Sequence, residues 1–388
     1  MNKKTVLKRA IAGLKKKQPN LKLGFAELDE LQFIPTPFNT LNALCNHSRG
    51  SGIPRGKFGV IAGAQQTAKT TLLQQVIAFN MQLDPDFIAL WTDAENALDE
   101  DWCKTLGIDL DRLIIHRAAP DNPYMERILE DGLTLVKSQA VDMWVIDSIG
   151  ALMPQSENTK ELEEGKMLDH PRKMGEFFRK ANNAICPTGD EFQGTACVLI
   201  GQVYNAPTTS GVGLEEVRGG NAVKHWAYWR WKTRRGRKDE GPGTHKFTMP
   251  DGETRDIIRG WPQHIKIDKT KVNDREGQEV VLQFMFGRGL DSIQAAISSL
   301  FGNDVMERKG GWYYHPDFPS GKLQGKPAVI QLLAEDIQLR EQLISEMDLK
   351  LITPEINNKY EDKHNDSDST IREAEGGEHP RDSEPGNL

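Results

Sequence analysis

The chain predicts an α/β fold organised on a mainly parallel, twisted sheet, and three observations lead there. Near-continuous apolar runs such as Met143-Trp144-Val145-Ile146 lack polar alternation, as strands covered on both faces require. Such runs alternate with helix-period stretches across residues 36–290. The β-branched run Phe58–Ala62 passes through a short loop straight into the periodic Leu72-Leu73…Val76-Ile77, giving strand, tight loop and helix in succession. Around this core the pattern places an N-terminal helix-and-strand arm (1–35), a small C-terminal α+β unit (291–353) and an acidic tail (354–388) whose composition predicts disorder.

Taken in order, residues 4–17 predict a helix with Val6, Ala10, Ile11 and Leu14 on one stripe. Residues 19–35 read as an extended, Pro-punctuated linker carrying Leu21, Leu23, Phe25 and Leu28, free to dock on a neighbouring subunit or on its own core. The core then predicts strand 58–62, helix 69–82, strands 87–92 and 112–116, helix 122–138 and strand 142–147. Helix 171–185, strand 196–202, a long loop to 220 and strands near 226–234, 263–269 and 279–286 complete it. The Gly- and Pro-rich stretch 235–262 reads as a hairpin or loop insertion. No internal repeat is present.

With 388 residues, 38% hydrophobic and 27% charged, the chain can bury a full core, and no apolar run approaches the roughly 20 residues of a membrane span. Cys45, Cys103, Cys186 and Cys197 are far apart and form no zinc-spaced pair, so they read as reduced, mostly packing residues of a cytoplasmic protein. The net charge of −7 is uneven: residues 355–388 hold ten acidic and four basic side chains, leaving −1 for the rest, while residues 1–23 hold eight Lys or Arg and no acid. That polarity suits a nucleic-acid partner with a self-masking tail, and equally a solvated arm with a disordered end.

The loop Gly63-Ala64-Gln65-Gln66-Thr67-Ala68-Lys69-Thr70-Thr71 carries the first chemistry. Loop N–H groups and a helix N-terminus point positive dipole at phosphate oxygens. Lys69 is placed to reach terminal phosphates and the Thr70 hydroxyl to hold Mg²⁺. The pattern is G-x4-A-K-T, with Ala68 where a phosphate loop usually has glycine; a Lys-Thr helix start after an ordinary turn reads alike. Two strands that end in Thr92-Asp93-Ala94-Glu95 and Asp147-Ser148 bring acids to the same sheet edge, where ligands of parallel α/β sheets bind. Asp147 fits the metal-side carboxylate and Glu95 the general base that orients a water.

Joined in order, these pieces resemble RecA-type recombinases, including the phage UvsX-like branch. The segments that carry the resemblance are Ile53-Pro54-Arg55-Gly56, the phosphate loop, Asp93-Ala94-Glu95-Asn96-Ala97-Leu98-Asp99 and Thr105-Leu106-Gly107-Ile108-Asp109. Val145-Ile146-Asp147-Ser148, Gly219-Gly220-Asn221-Ala222-Val223-Lys224, Lys266-Ile267-Asp268-Lys269-Thr270-Lys271 and Gly310-Gly311-Trp312-Tyr313 follow, so roughly residues 36–335 are covered. The resemblance implies a RecA-like ATPase core with ATP and Mg²⁺ as cofactors. It implies that Trp102 stacks on adenine with Asp99 beside the base, and that Gln202 senses the γ-phosphate and orders the following loop. It further implies that Lys269 and Lys271 reach across a subunit interface to the neighbour's ATP; outside the family a Lys-x-Lys strand is more often a solvated edge.

The resemblance also places DNA-binding loops at 154–170 and 203–220. In the first it puts Met167 as an apolar wedge between base steps, although a methionine there could as well pack on the helix. Arg172 and Arg179, seven apart, share a helix face able to track phosphates. In the second, Val212 and Leu214 stand as candidate wedges, and Arg218, Gly219 and Gly220 supply a guanidinium and a backbone nest for phosphate. Residues 230–238 interleave six cations with Trp229 and Trp231, which suits either a further nucleic-acid contact or the base of a hairpin. The implied activity is a DNA-dependent ATPase that forms a helical homo-oligomer on single-stranded DNA, with ATP at subunit interfaces, and exchanges strands with homologous duplex. A single-strand-binding protein and a loader are implied as further partners, in a bacterial cytoplasm, with a phage genome as an alternative source. Two rivals remain at this point: a hexameric RecA-fold helicase or motor, and a mediator paralogue that binds DNA without hydrolysis.

Overall fold

In the computed structural model the described residues are 3–15, 31–45, 50–158, 169–186, 194–206, 214–217, 220–237, 244–248, 253–301 and 305–352. The first half forms α1 (Lys3–Lys15), β1 (Phe33–Ile34), α2 (Asn39–Leu44), β2 (Ile53–Pro54), β3 (Phe58–Gly63), α3 (Lys69–Leu83), β4 (Ala89–Asp93), α4 (Glu100–Thr105), β5 (Leu113–His116), α5 (Met125–Lys137) and β6 (Met143–Asp147). After α6 (Gln155–Asn158) come α7 (Asp169–Ile185), β7 (Ala196–Ala206), β8 (Leu214–Val217), α8 (Gly220–Trp226), β9 (Trp229–Arg235), β10 (Thr244–Thr248), β11 (Thr254–Ile258), β12 (Gly260–Thr270), β13 (Glu279–Met285) and β14 (Gly289–Leu290). The C-terminal unit contains α9 (Ser292–Leu300), β15 (Glu307–Lys309), β16 (Trp312–Tyr314), β17 (Lys322–Gln324), α10 (Lys326–Glu335) and α11 (Ile337–Ile352).

The main sheet has ten strands in the order β14-β13-β12-β9-β3-β7-β6-β4-β5, with β8 added on β7. From β9 through β5 all neighbours are parallel. The β12–β14 flank is antiparallel. The apolar runs explain this: with no polar face, successive residues enter opposite layers. Val60, Trp144 and Cys197 join the core under α5 and α7. Their neighbours Ile61, Val145 and Val198 join the core under α3. Trp144 also satisfies its indole, donating from Nε1 to Thr92 Oγ1 at 2.9 Å. The C-terminal unit has a separate core that includes Tyr313, Val329, Leu333, Leu343 and Met347.

Several local expectations change. The segment 203–220 is not a plain loop: β7 continues to Ala206 and pairs antiparallel with β8, Val203 facing Val217 and Ala206 facing Leu214. The chain Val203-Tyr204 and Leu214…Val217 supplies strand-forming residues that a Gly- and Thr-rich average conceals. The strand expected near 226 starts at Trp229, because α8 occupies 220–226 and buries Val223. At the end of the stretch read as a linker, Phe33–Ile34 pairs with Ile53–Pro54 and Ile34 is fully buried. The short α2, unforeseen, is tied down by Asn42, whose amide donates to Thr36 O at 2.7 Å and whose Oδ1 accepts from Thr36 N at 2.9 Å. The insertion 235–262 does contain a hairpin, β10–β11. Trp229 and Trp231 are buried in the core, so they present no face to a nucleic acid. Among the described residues no helix is long and apolar enough to cross a membrane.

Candidate active site

The parallel strands β3, β4, β6 and β7 end side by side, and the polar residues that follow them meet there. Gly63 closes β3 where no side chain fits: a β-carbon would lie 2.2 Å from Thr233 Oγ1 and 2.4 Å from Thr233 O. Thr233, on β9, also shares a 2.8 Å hydroxyl contact with Thr67 that anchors the loop from beneath. Ala64, Gln65 and Gln66 are exposed, Thr67 and Thr71 are buried and Ala68 is half-buried. Gln66 and Ala68 both adopt left-handed backbone, at φ 59 and 48. Ala68 therefore takes a conformation that glycine adopts without strain.

The N-terminus of α3 carries no side-chain cap, which leaves its amide N–H groups for an anion. Lys69 is buried and its Nζ donates to Gly63 O at 3.1 Å and Ala64 O at 2.6 Å. Burial pulls its pKa down, against the pull of Asp147 and Glu95. Thr70 Oγ1 donates to Asp147 Oδ2 at 2.9 Å. Burial, chiefly, raises the Asp147 carboxyl from the ordinary 3.8 to about 6, with the nearby charges of Glu95 and Asp93 adding to it and the Thr70 bond opposing it. Glu95 is exposed at the mouth, where it accepts a short bond from Ser148 Oγ and a 3.4 Å bond from Gln202 Nε2. A cavity lined by Glu95, Ser148, Gly150, Gln202 and Tyr204 opens beside these groups.

The structure thus gathers Lys69, Thr70, Glu95, Asp147 and Gln202 at one edge. Asp99 and Trp102 stand at the start of α4: the Asp99 carboxylate caps the helix by accepting from Trp102 N at 2.7 Å, and the Trp102 ring is half-buried. Lys269 makes its contact elsewhere, donating to Lys224 O at the end of α8 at 2.7 Å. Its pKa is lowered, first by burial and then by the neighbouring charges of Lys271 and Arg230. Lys271, just past β12, is exposed. Arg172 and Arg179 are exposed on α7, while Met174, Phe177, Phe178 and Ala181 face the core. Gly220 opens α8 at φ 62, and its Cα side sits against Pro171 of α7, where a β-carbon would be 3.2 Å away. Leu214 lies on β8; Met167, Val212, Arg218 and Gly219 fall outside the described residues.

These residues fit a magnesium nucleotide. Uncapped amides and a lysine suit phosphate, while one threonine hydroxyl and one carboxylate suit a metal that arrives with its substrate rather than in a protein cage. No cluster of three or more His, Cys, Asp or Glu able to hold a metal occurs among the described residues. Sequence reading missed Ser148 as a partner of Glu95, Thr233 beneath the loop, and Asp93 with Arg117 behind it; Ser148 and Asp93 stood inside quoted motifs, but Thr233 lies on β9 and Arg117 just after β5.

The family profile described as the RecA N-terminal domain matches residues 6–291. This chain belongs to the RecA family. Curated relatives agree. Protein RecA of Acinetobacter baumannii is 28% identical over 364 residues, spanning 91% of this chain and 93% of the relative. Protein RecA of Porphyromonas gingivalis is 30% identical over 292 residues, spanning 75% and 78%. That of Acinetobacter baylyi is 27% identical over 364 residues. As a RecA-type recombinase the chain functions in DNA recombination and repair. The matched span includes the strands and loops that carry Lys69, Thr70, Glu95, Asp147 and Gln202.

Proposed function

We propose that this RecA-family protein hydrolyses ATP in a DNA-dependent manner while assembled as a helical filament on single-stranded DNA, and that the filament pairs and exchanges strands with homologous duplex. The observation that carries the reading is the bond from Gln202 to Glu95, because it joins the hydrolytic end of the site to the strand that leads into the second DNA segment. Lys69 and the α3 amides hold the phosphates, Thr70 and Asp147 hold the Mg²⁺ shell, and Asp99 with Trp102 receives the adenine. Bound there, the metal neutralises charge on the phosphate oxygens. Glu95 orients the attacking water and takes its proton, with Ser148 fixing the carboxylate's position. Gln202 can exchange its bond between Glu95, phosphate and loop as the nucleotide changes.

Lys269 and Lys271 act on the ATP of the adjoining subunit, which requires Lys269 to leave the Lys224 carbonyl. Arg172, Arg179 and Gly220, with Met167, Val212, Leu214, Arg218 and Gly219, form the DNA surface. Helix α1 leaves Val6, Leu7 and Leu14 half-exposed, which supports a docking role for residues 1–35 on a neighbouring copy. A head-to-tail contact that does not close yields an open helix. A single-strand-binding protein and a loader are proposed partners, and a bacterial cytoplasm is the proposed setting.

Two measurements test this. Turnover of ATP stimulated by single-stranded DNA is expected to vanish in Lys69→Ala and persist in Arg372→Ala, a change in the acidic tail outside the proposed site; intact hydrolysis in Lys69→Ala overturns the site. Electron microscopy on single-stranded DNA with a slowly hydrolysed ATP analogue is expected to show a helical sheath, and closed rings or bare strands overturn the filament.

A further inference from the structure

The seven residues from Asp93 to Asp99 carry Glu95, yet the loop has little regular structure to hold it. It is organised around one buried carboxylate. Asp93 is 2% exposed; its Oδ1 accepts from Ala97 N at 3.0 Å and its Oδ2 from Leu98 N at 3.1 Å. These bonds fold the loop back on its own start, with Asn96 in left-handed backbone at φ 53. A carboxylate so placed needs a cation. Arg117, just after β5, supplies it: Nε donates to Asp93 Oδ2 at 2.9 Å and Nη2 to Leu98 O at 3.1 Å. One guanidinium therefore ties the first and sixth residues of the loop together, in a fork that a lysine cannot reproduce. On the far side Glu95 meets Ser148 and Gln202.

We infer that Arg117 is a positioning residue for hydrolysis, acting through Asp93 to hold Glu95 at its place opposite Ser148 and Gln202. Arg117 touches none of the phosphate-binding groups, so its effect passes through the geometry of the loop. The inference rests on the role proposed for Glu95. Misplacement of a catalytic group by about 1 Å lowers rates up to about 100-fold. Accordingly Arg117→Gln is expected to reduce the turnover number for DNA-stimulated ATP hydrolysis by roughly 10- to 100-fold. Affinity for a slowly hydrolysed ATP analogue should stay within about threefold, because Lys69 and the α3 amides are untouched. Arg117→Lys should recover part of the rate.

Single-turnover rates of Arg117→Gln, Glu95→Ala and the double variant, each with its melting temperature, decide the matter. If Arg117 works through Glu95, the double variant is no slower than Glu95→Ala alone. Losses that multiply in the double variant, or an Arg117→Gln enzyme of parental turnover number, overturn the inference while leaving the Glu95 assignment standing. Parental hydrolysis in Glu95→Ala overturns that assignment instead. Should Arg117→Gln melt too low to assay, Arg117→Lys in the same cycle carries the test, with the same non-additivity expected.

Discussion

Replacing Asp147 by asparagine should make the nucleotide-free protein more stable, even though the residue is proposed to be required for activity. The carboxyl is held largely away from water, near Glu95 and Asp93, and titrates at about 6 rather than 3.8. A proton bound more tightly in the folded state than in the unfolded chain favours folding while it is in place. That contribution is full below about pH 3.8 and is lost as pH rises through about 6. The difference corresponds to about 3 kcal/mol, which partial access of water reduces to about 1–3 kcal/mol. Asparagine keeps an oxygen to accept from Thr70 Oγ1 and carries no charge, so it recovers this amount at pH 8. For a domain of this size the gain is roughly 3–8 °C in melting temperature. The assay is thermal unfolding at pH 4.5 and pH 8 with chelator and no nucleotide. The variant should melt higher than the parent at pH 8, and the gap should close toward pH 4.5. An Asp147→Asn protein that melts lower at pH 8, or whose gain is the same at both pH values, refutes the reasoning.

Other outcomes follow from single contacts. Gly63→Ala should destabilise the core by more than about 2 kcal/mol and weaken nucleotide binding, since its β-carbon would meet the Thr233 backbone; denaturant unfolding and a fluorescent-nucleotide titration read both. Ala68→Gly should be neutral to stabilising by up to about 1 kcal/mol, because left-handed backbone strain there is relieved against a gain in unfolded-chain freedom, and a melt measures it. Arg55→Ala should cost about 2–3 kcal/mol: its guanidinium meets Asp142 at 2.7 Å from a largely buried position, and that carboxylate also accepts from Ile88 N. Leu343→Ala, fully buried in the C-terminal unit, should cost about 2–4 kcal/mol there and leave nucleotide binding at parental affinity, which calorimetry with paired titration would separate.

The central sheet was legible because its strands are buried on both faces and state this in uninterrupted apolar residues, as in Met143-Trp144-Val145-Ile146 and Cys197–Ile200. The phosphate loop and the acids at strand ends were legible because local order fixes them: strand, loop and helix follow one another within a few residues. What escaped depends on partners distant in sequence. The β1–β2 pair consists of two residues on each side and is specified by register against Ile53–Pro54, not by its own pattern. The β7–β8 hairpin hides within residues whose average composition is that of a loop. Trp229 and Trp231 looked like stacking platforms among cations, yet strand alternation sends both inward while Arg230, Lys232 and Arg234 stay at or near the surface. Arg117 gave no local signal at all, since its meaning lies in a carboxylate 24 positions earlier.

Strand β7 is supported unequally along its length. Residues 197–202 are laced to β3 and residues 196–200 to β6, whereas residues 203–206 pair with β8 alone. Gln202 is thus the last residue of β7 paired with β3. Its side-chain bond to Glu95 therefore sits where β7 passes from its pairing with the central sheet to its pairing with β8, so a change at the site is felt at that junction.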